Sequence, residues 1–375
     1  MSKGGYKIID HAGMYFISFA VVLRINLKAG HAGVFTRKEY SDILVESLQH
    51  CQQAQGLVTY GWCIMSNHVA GSNISRNFYS SKNISCNMIK TLITGSTGNV
   101  GIAVLSALQK LNHQLEIFAG VRDTEFGNEK LVNFNIRNIK FDFTNSETFA
   151  SALQNIDLLF LLRPPQISDV NKYFAPLIGI AKQSPVKHIV FLSVQGVEKS
   201  KIIPHHKIEK LIVDSKIPYT FLRPAYFMQN FTTTLRNDLV NNQRIYLPAG
   251  QAKFTIIDVE DIGAVAAKVL TEPQNHINKS YELTNNETLT FTEMAEKISS
   301  GIGKTINFIS PNLLQFFLAK RKENMPSMLI LVIIMLHYFP RFQKTPKTTD
   351  CVKIITGQEP KSFDSFVRSN KIHLQ

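Results

Sequence analysis

Gly95, Gly98 and Gly101 recur at three-residue intervals inside TLITGSTGNVG, residues 91–101. A loop with so little side-chain bulk lets main-chain N–H groups close on a pyrophosphate. A helix starting within it adds unpaired donors and the positive end of its dipole. Ser96, Thr97 and Asn99 can add hydroxyl and amide contacts. A glycine triplet alone is a weak signal, and a tight structural turn is the alternative. Here an apolar strand, 89–94, precedes it and an apolar helix, 100–111, follows, which is the context a dinucleotide fingerprint requires.

The next strand, LEIFAGV, runs into Arg122 and Asp123. A carboxylate at this point would accept hydrogen bonds from a ribose 2′-hydroxyl, whereas a 2′-phosphate wants a cation. The Arg122 guanidinium suits a phosphate fork, so NADP(H) is favoured over NAD(H). The alternative for Arg122 is a solvated surface residue. Ligands of open α/β sheets lie at the carboxyl ends of strands. Asp142 and Phe143 in KFDF are expected to close the third strand near an adenine. Arg163, in LLRPPQ after the fourth, either borders the nicotinamide ribose or belongs to a turn made by the two prolines.

Ser193 ends the apolar run HIVFLSV, His206 follows thirteen residues later, and Lys210 four after that. Short-chain dehydrogenases use a Ser, a Tyr and a Lys at this spacing, the Lys lowering the phenol pKa for proton transfer. An imidazole replaces the phenol here. His206 could donate a proton near neutral pH, or it could be an exposed helix residue, with His205 and Glu209 forming an i,i+4 pair. Without the tyrosine, ordinary alcohol–ketone chemistry is disfavoured. A quinone or azo acceptor is easier, because solvent can protonate its reduced form and positioning alone can suffice.

These residues need a scaffold, and the pattern supplies one. After Met88, strands at 89–94, LEIFAGV, IKFDF, DLLFLL, HIVFLSV and YTFLRP alternate with helices at 100–111, SETFASALQ, 174–181 and HKIEKLIVDS. Nearly all-apolar strands in a βαβ rhythm predict an α/β fold, a Rossmann-type doubly wound parallel sheet. From about residue 228 a smaller C-terminal region is expected to cover the substrate. Before Met88, strand-like and amphipathic runs suggest an α+β fragment over 1–72, and the Ser- and Asn-rich stretch 73–87 reads as a linker.

Composition agrees. An apolar content of 44% and a charged content of 18% suit a globular protein. The formal charge of +13 favours an anionic partner, yet no dense basic run marks a nucleic-acid footprint. Four cysteines without a CxxC pair read as reduced thiols of a cytoplasmic protein. No metal-ligand cluster stands out. The run 14–23 fits a strand better than a signal peptide. SMLILVIIML, 327–336, is half the length of a spanning helix and reads as a buried or lid helix, with peripheral membrane contact the weaker option.

LITGSTGNVG, the AGVRD strand end, FLLRPPQ, FLSVQG, HHKIEKLIVDSKIPYTFLRPAYFMQN and FTIIDVEDIGAVAAKVL together resemble the NmrA-like, atypical short-chain dehydrogenase/reductase family over about residues 88–375. The resemblance implies a Rossmann fold, NAD(P) binding, and either NAD(P)H-dependent reduction of quinone- or azo-type molecules or redox sensing without turnover. By position it implies that Gly95, Thr97, Gly98, Asn99, Val100, Gly101 and Arg122 hold the dinucleotide. Phe227, Met228 and Asn230 would border the substrate pocket, Asp258 and Asp261 would fix the fold, and the apolar segment around 327–336 would cover the site. Residues 1–72 resemble a degenerate start of the IS200/REP-type transposases. The second metal ligand of that site is lost where Ala70 follows His68 and Val69, and Met88 stands where a free-standing NmrA-like chain would begin.

Three functions are therefore expected to compete: an NAD(P)H-dependent reductase of a small conjugated molecule, an NADP-binding sensor that engages a partner protein, and, least, DNA transposition.

Overall fold

The computed structural model describes residues 88–375; every expectation placed on residues 1–87 lies outside them. Seven strands form one parallel sheet: β1 (Ile89–Thr94), β2 (Leu115–Val121), β3 (Arg137–Lys140), β4 (Leu158–Leu162), β5 (His188–Leu192), β6 (Tyr219–Pro224) and, after three strands that lie outside it, β10 (Lys279–Leu283). Their spatial order is β10-β6-β5-β4-β1-β2-β3. The chain leaves β1 toward β2 and β3, then crosses to β4 on the opposite flank, so the connections after β1 and β4 diverge. That divergence opens the crevice in which such sheets bind ligands.

Helices α1 (Asn99–Gln109), α2 (Thr124–Lys130), α3 (Glu147–Leu153), α4 (Val170–Gln183) and α5 (Pro204–Ser215) connect the first six strands. Ile93, Phe160, Val190 and Leu222 point to one core, shared with α1 and with α7 (Val259–Thr271). Leu92, Leu159, Phe191 and Phe221 point to the other, shared with α3, α4 and α5. Burial on both faces is why these strands read as continuous apolar runs rather than alternating ones. α7 lies so close on α1 that a β-carbon built on Gly263 would be 2.5 Å from the Ala103 carbonyl oxygen.

The C-terminal region holds a third core. Its strands are β7 (Tyr226–Phe227), β8 (Arg244–Tyr246), β9 (Lys253–Ile257), β11 (Thr288–Thr290) and β12 (Asn307–Ile309). Its helices, after α6 (Arg236–Asn242), are α8 (Phe291–Ile302), α9 (Leu313–Lys322), α10 (Ser327–Tyr338), α11 (Cys351–Thr356), α12 (Phe363–Ser369) and α13 (Lys371–Leu374).

Two boundaries and the packing of one helix differ from expectation. β3 ends at Lys140, because Asp142 turns the chain: its Oδ1 accepts from the Thr144 N–H and hydroxyl, both at 2.8 Å. α4 begins four residues early, where Asp169 caps it by accepting from the Lys172 N–H. SMLILVIIML, expected as a buried or lid helix, does form a helix, α10, and it is not enclosed: Ile330, Ile333 and His337 are buried and Ile334 packs partly buried beside them, while the other apolar residues are exposed.

Candidate functional site

The glycine loop follows β1 at the crevice, and its three glycines have separate structural reasons. Gly95 has φ +61°, a left-handed conformation, and a β-carbon there would also press on the Leu162 side chain at 2.7 Å. Gly101 sits in the first turn of α1, where a β-carbon would be 2.3 Å from the Gly95 carbonyl oxygen. Gly98 differs. A β-carbon on it would meet only the Gly95 oxygen, at 3.3 Å. Gly98 and Asn99 are exposed, no side chain caps α1, and no acidic residue stands in its first turn. The helix start is thus an open set of main-chain donors with a positive dipole end, which suits a pyrophosphate.

The loop is held from below. Buried Ser96 donates its hydroxyl to the Gly120 carbonyl at 3.1 Å, so it fastens the loop to β2 instead of facing a ligand as expected. Thr94 bridges β1 to β4, donating to the Phe160 carbonyl at 3.0 Å and accepting from the Leu162 N–H at 3.1 Å. Thr97 is partly exposed and Val100 is buried, so the latter offers only its main chain.

Arg122 and Asp123, adjacent after β2, have divided duties. The Asp123 carboxylate caps α2, accepting from the N–H groups of Glu125 at 2.9 Å and Phe126 at 3.3 Å. Arg122 is exposed.

Several expected site residues are committed elsewhere. Phe143 is 7% exposed and packs against Phe141 and Phe174, so its ring belongs to the core. Asp142 is held in its turn. Arg163 points back into its own loop, its Nη1 donating to the carbonyls of Pro164, Pro165 and Ile167 and its Nε to His205 at 3.4 Å. Burial, with the Arg163 charge beside it, pushes His205 down to about 3, so its ring is neutral and can accept. Of the two readings open for Arg163, the contacts match the turn made by the two prolines, with the guanidinium spent inside that loop.

The Ser193, His206 and Lys210 set does not converge as its spacing suggests. Ser193 is buried just past β5, and its hydroxyl has no hydrogen-bond partner among the described residues. Lys210 is exposed and pairs with Asp214 at 2.8 Å. It lines a cavity of about 370 Å³ between α4 and α5 together with His206, and Ser193 is not part of that lining. The His205–Glu209 pair of the alternative reading does not form either: Glu209 turns to Arg223 and His205 to Arg163.

On the C-terminal side, Met228 is fully buried in the third core and lines nothing; Phe227 and Asn230 are partly exposed. The residue missed in the sequence is Tyr226. Its hydroxyl lies 3.3 Å from His337 Nε2 on α10. Burial pushes His337 down to about 4 and the Tyr226 phenol well above its usual range, so both are neutral. His337 Nδ1 stands 2.7 Å from the Ile333 carbonyl and carries the proton, which leaves Nε2 to accept from the phenol. Asn230 also bonds that phenol. Phe231, Phe254 and Phe291 surround it. A tyrosine opening YFMQN was a visible signal; its histidine partner, 111 residues on, was not.

Gln229 ties this segment to α7. It donates to Asp258 Oδ1 and accepts from the Val259 N–H, both at 2.9 Å, while Asp258 caps α7. Asp261 accepts from the Lys361 N–H at 2.9 Å. Both carboxylates act on the fold, the role the resemblance implied for them. Among the described residues no group of His, Cys, Asp and Glu could hold a metal ion.

The sequence pattern described as the NmrA-like family matches residues 88–337. Prestalk A differentiation protein A of Dictyostelium discoideum is 30% identical over 288 residues, 76% of this chain and 94% of that protein. The NAD(P)H azoreductase of Xenophilus azovorans is 27% identical over 286 residues, covering 74% and 97%. In three dimensions, the NADPH-dependent quinone oxidoreductase of Escherichia coli complexed with NADPH superposes with a TM-score of 0.68 at 23% identity, over 74% of this chain and 99% of that one. This last likeness establishes the doubly wound fold.

Proposed function

The chain belongs to the NmrA-like family, and on that premise we propose that it is an NADP(H)-dependent oxidoreductase acting on a flat, conjugated small molecule of the quinone or azo type. The observation that carries this reading is the exposed, uncapped start of α1 at Gly98–Asn99, beside the crevice between β1 and β4. Main-chain groups from Gly95 to Gly101 would hold the pyrophosphate, with the Thr97 hydroxyl beside them. Arg122 would take the 2′-phosphate, since Asp123 is committed to its helix cap and is not offered to a ribose hydroxyl. The coenzyme, when bound, supplies the reducing electrons. Phe227, Asn230 and Tyr226 would line the substrate side, orienting an aromatic plane and excluding water. Relatives named as an azoreductase and a quinone oxidoreductase support the acceptor class.

No fixed proton donor is required, because a reduced quinone or azo product is protonated by solvent. Lys210 keeps its partner Asp214, and His206 lines the cavity between α4 and α5, away from Ser193. Ser193, the third member of that set, would act by positioning a ligand carbonyl with its free hydroxyl. A second reading, a sensor that binds NADP and a partner protein without turnover, is favoured by the same outward Lys210 and the missing tyrosine.

The test is a fluorescence titration of the full chain with NADPH and NADH, followed by coenzyme consumption with a panel of quinones and azo dyes. NADPH should bind at least about tenfold more tightly than NADH and be consumed with at least one acceptor. Binding without turnover across the panel selects the sensor. No binding of either coenzyme overturns both readings.

A further inference from the structure

α10 is apolar on every side. Ile330, Ile333 and His337 pack inward, while Met328, Leu329, Leu331, Val332, Met335 and Leu336 all lie on the opposite face and are all exposed, Met328 to 73% and Leu336 to 53%. Phe339 and Phe342 extend the same apolar surface past the helix end, Phe342 being 71% exposed. An exposed helix of a globular protein ordinarily turns charge outward, and a helix apolar all round is normally enclosed. This one is not enclosed among the described residues. Exposed apolar residues this numerous on one continuous face, rimmed by charge, mark an interaction site.

The charges around it narrow the partner. From Met325 to Pro340 the chain carries no Lys, Arg, Asp or Glu. Immediately before stand exposed Arg321 and Lys322, and immediately after stand exposed Arg341, Lys344 and Lys347. Glu323 is the one acid between residues 320 and 347, and it is paired with Lys320 at 2.9 Å. The apolar face is therefore bracketed at both ends by cations of one sign. A second copy packed across a two-fold axis would set these cations against their own images. An anionic lipid surface meets them with the opposite charge.

We propose that α10 is an in-plane membrane anchor, its outer face seated at the headgroup–acyl boundary of an anionic phospholipid bilayer. At twelve residues α10 is about 18 Å long, short of the roughly 30 Å hydrocarbon core, so it lies in the surface and does not span. Among the described residues no helix is long and apolar enough to cross. Apolar insertion supplies the main attraction, and the flanking Lys and Arg supply preference for anionic headgroups. The inference is independent of the proposed redox activity, because it uses only the outward face of α10.

Flotation of the full chain with vesicles tests it, comparing phosphatidylcholine alone with phosphatidylcholine mixed with phosphatidylglycerol. Binding to the mixed vesicles should be at least about tenfold tighter and should weaken as salt rises. Leu331→Glu combined with Leu336→Glu should abolish flotation on both. Lys344→Glu combined with Lys347→Glu should remove the preference for phosphatidylglycerol. All four positions are exposed, so unchanged thermal melting is expected and verifies that each variant is folded. Absence of flotation with the mixed vesicles overturns the proposal, as does undiminished flotation of the Leu331→Glu, Leu336→Glu chain. A dimer in solution that those two substitutions convert to monomer, without flotation of the parent chain, identifies the face as a self-association surface and overturns it equally.

Discussion

The Arg223 guanidinium meets the Glu209 carboxylate through two parallel hydrogen bonds, Nε to Oε1 at 3.0 Å and Nη2 to Oε2 at 2.7 Å. Both side chains are largely buried, and Glu198 approaches the same guanidinium at 3.6 Å. Burial alone would lower the guanidinium pKa, but hydrogen bonding to Glu209 and the charges of Glu209, Glu198 and Glu282 together outweigh it and hold the value above its ordinary one. The pair fastens α5 to β6 and so fixes the segment that leads into Tyr226.

Glu209→Gln removes the charge while keeping the shape, leaving Arg223 buried without its main partner. Urea denaturation should show a loss of about 3 kcal/mol. A loss below about 0.5 kcal/mol would place the pair in the class of screened surface bridges.

The glycines should separate fold from binding. Gly98→Leu should leave the melting temperature nearly unchanged, since its β-carbon meets only one atom, the Gly95 oxygen at 3.3 Å. The same change should weaken coenzyme binding more than about a hundredfold by blocking the open helix start. Gly101→Ala should do the reverse first, lowering the melting temperature, because its β-carbon would fall 2.3 Å from that oxygen. Retained coenzyme affinity in Gly98→Leu would show that the phosphates lie elsewhere.

Arg122 and Asp123 make a paired prediction. Arg122→Ala should weaken NADPH by about tenfold or more and leave NADH within about twofold. Asp123→Ala should cost about 1 kcal/mol of stability through its lost cap and leave the NADPH-to-NADH preference in place. Equal weakening of both coenzymes by Arg122→Ala would contradict the 2′-phosphate assignment.

Asp261 predicts a pH dependence. Burial raises its pKa from 3.8 to about 6, with Asp258 and Glu260 adding to the rise and Lys361 opposing it. A raised folded-state pKa means the folded chain holds the proton more tightly than the unfolded one between these values. Its contribution is favourable below pH 3.8 and is lost as pH rises through 6. Asp261→Asn should therefore be more stable than the parent by about 2–3 kcal/mol at pH 8, with the difference vanishing near pH 4. His205 and His337, held neutral by burial, lose stability in the other direction as pH falls from 6.5. The difference between variant and parent cancels that common slope. A constant difference from pH 4 to pH 8 would refute the titration.

Much of this protein is local and was readable from residue order. The apolar strands, the glycine loop between β1 and α1, and the Asp258 cap at the start of α7 all depend on neighbours within a few positions. Backbone periodicity and close approach act over that range, so spacing alone reveals them. Partner choice is another matter. Ser96 is taken by Gly120, Glu209 by Arg223 and His337 by Tyr226, the last across 111 residues. Met228 looked like a pocket residue and is core, while the apolar run at α10, readable as a buried or a lid helix, leaves one face exposed. Hydrogen bonding and burial are settled by whichever group packs nearest once the sheet has closed. Residue types say what a side chain can do, and only the tertiary arrangement decides what it meets.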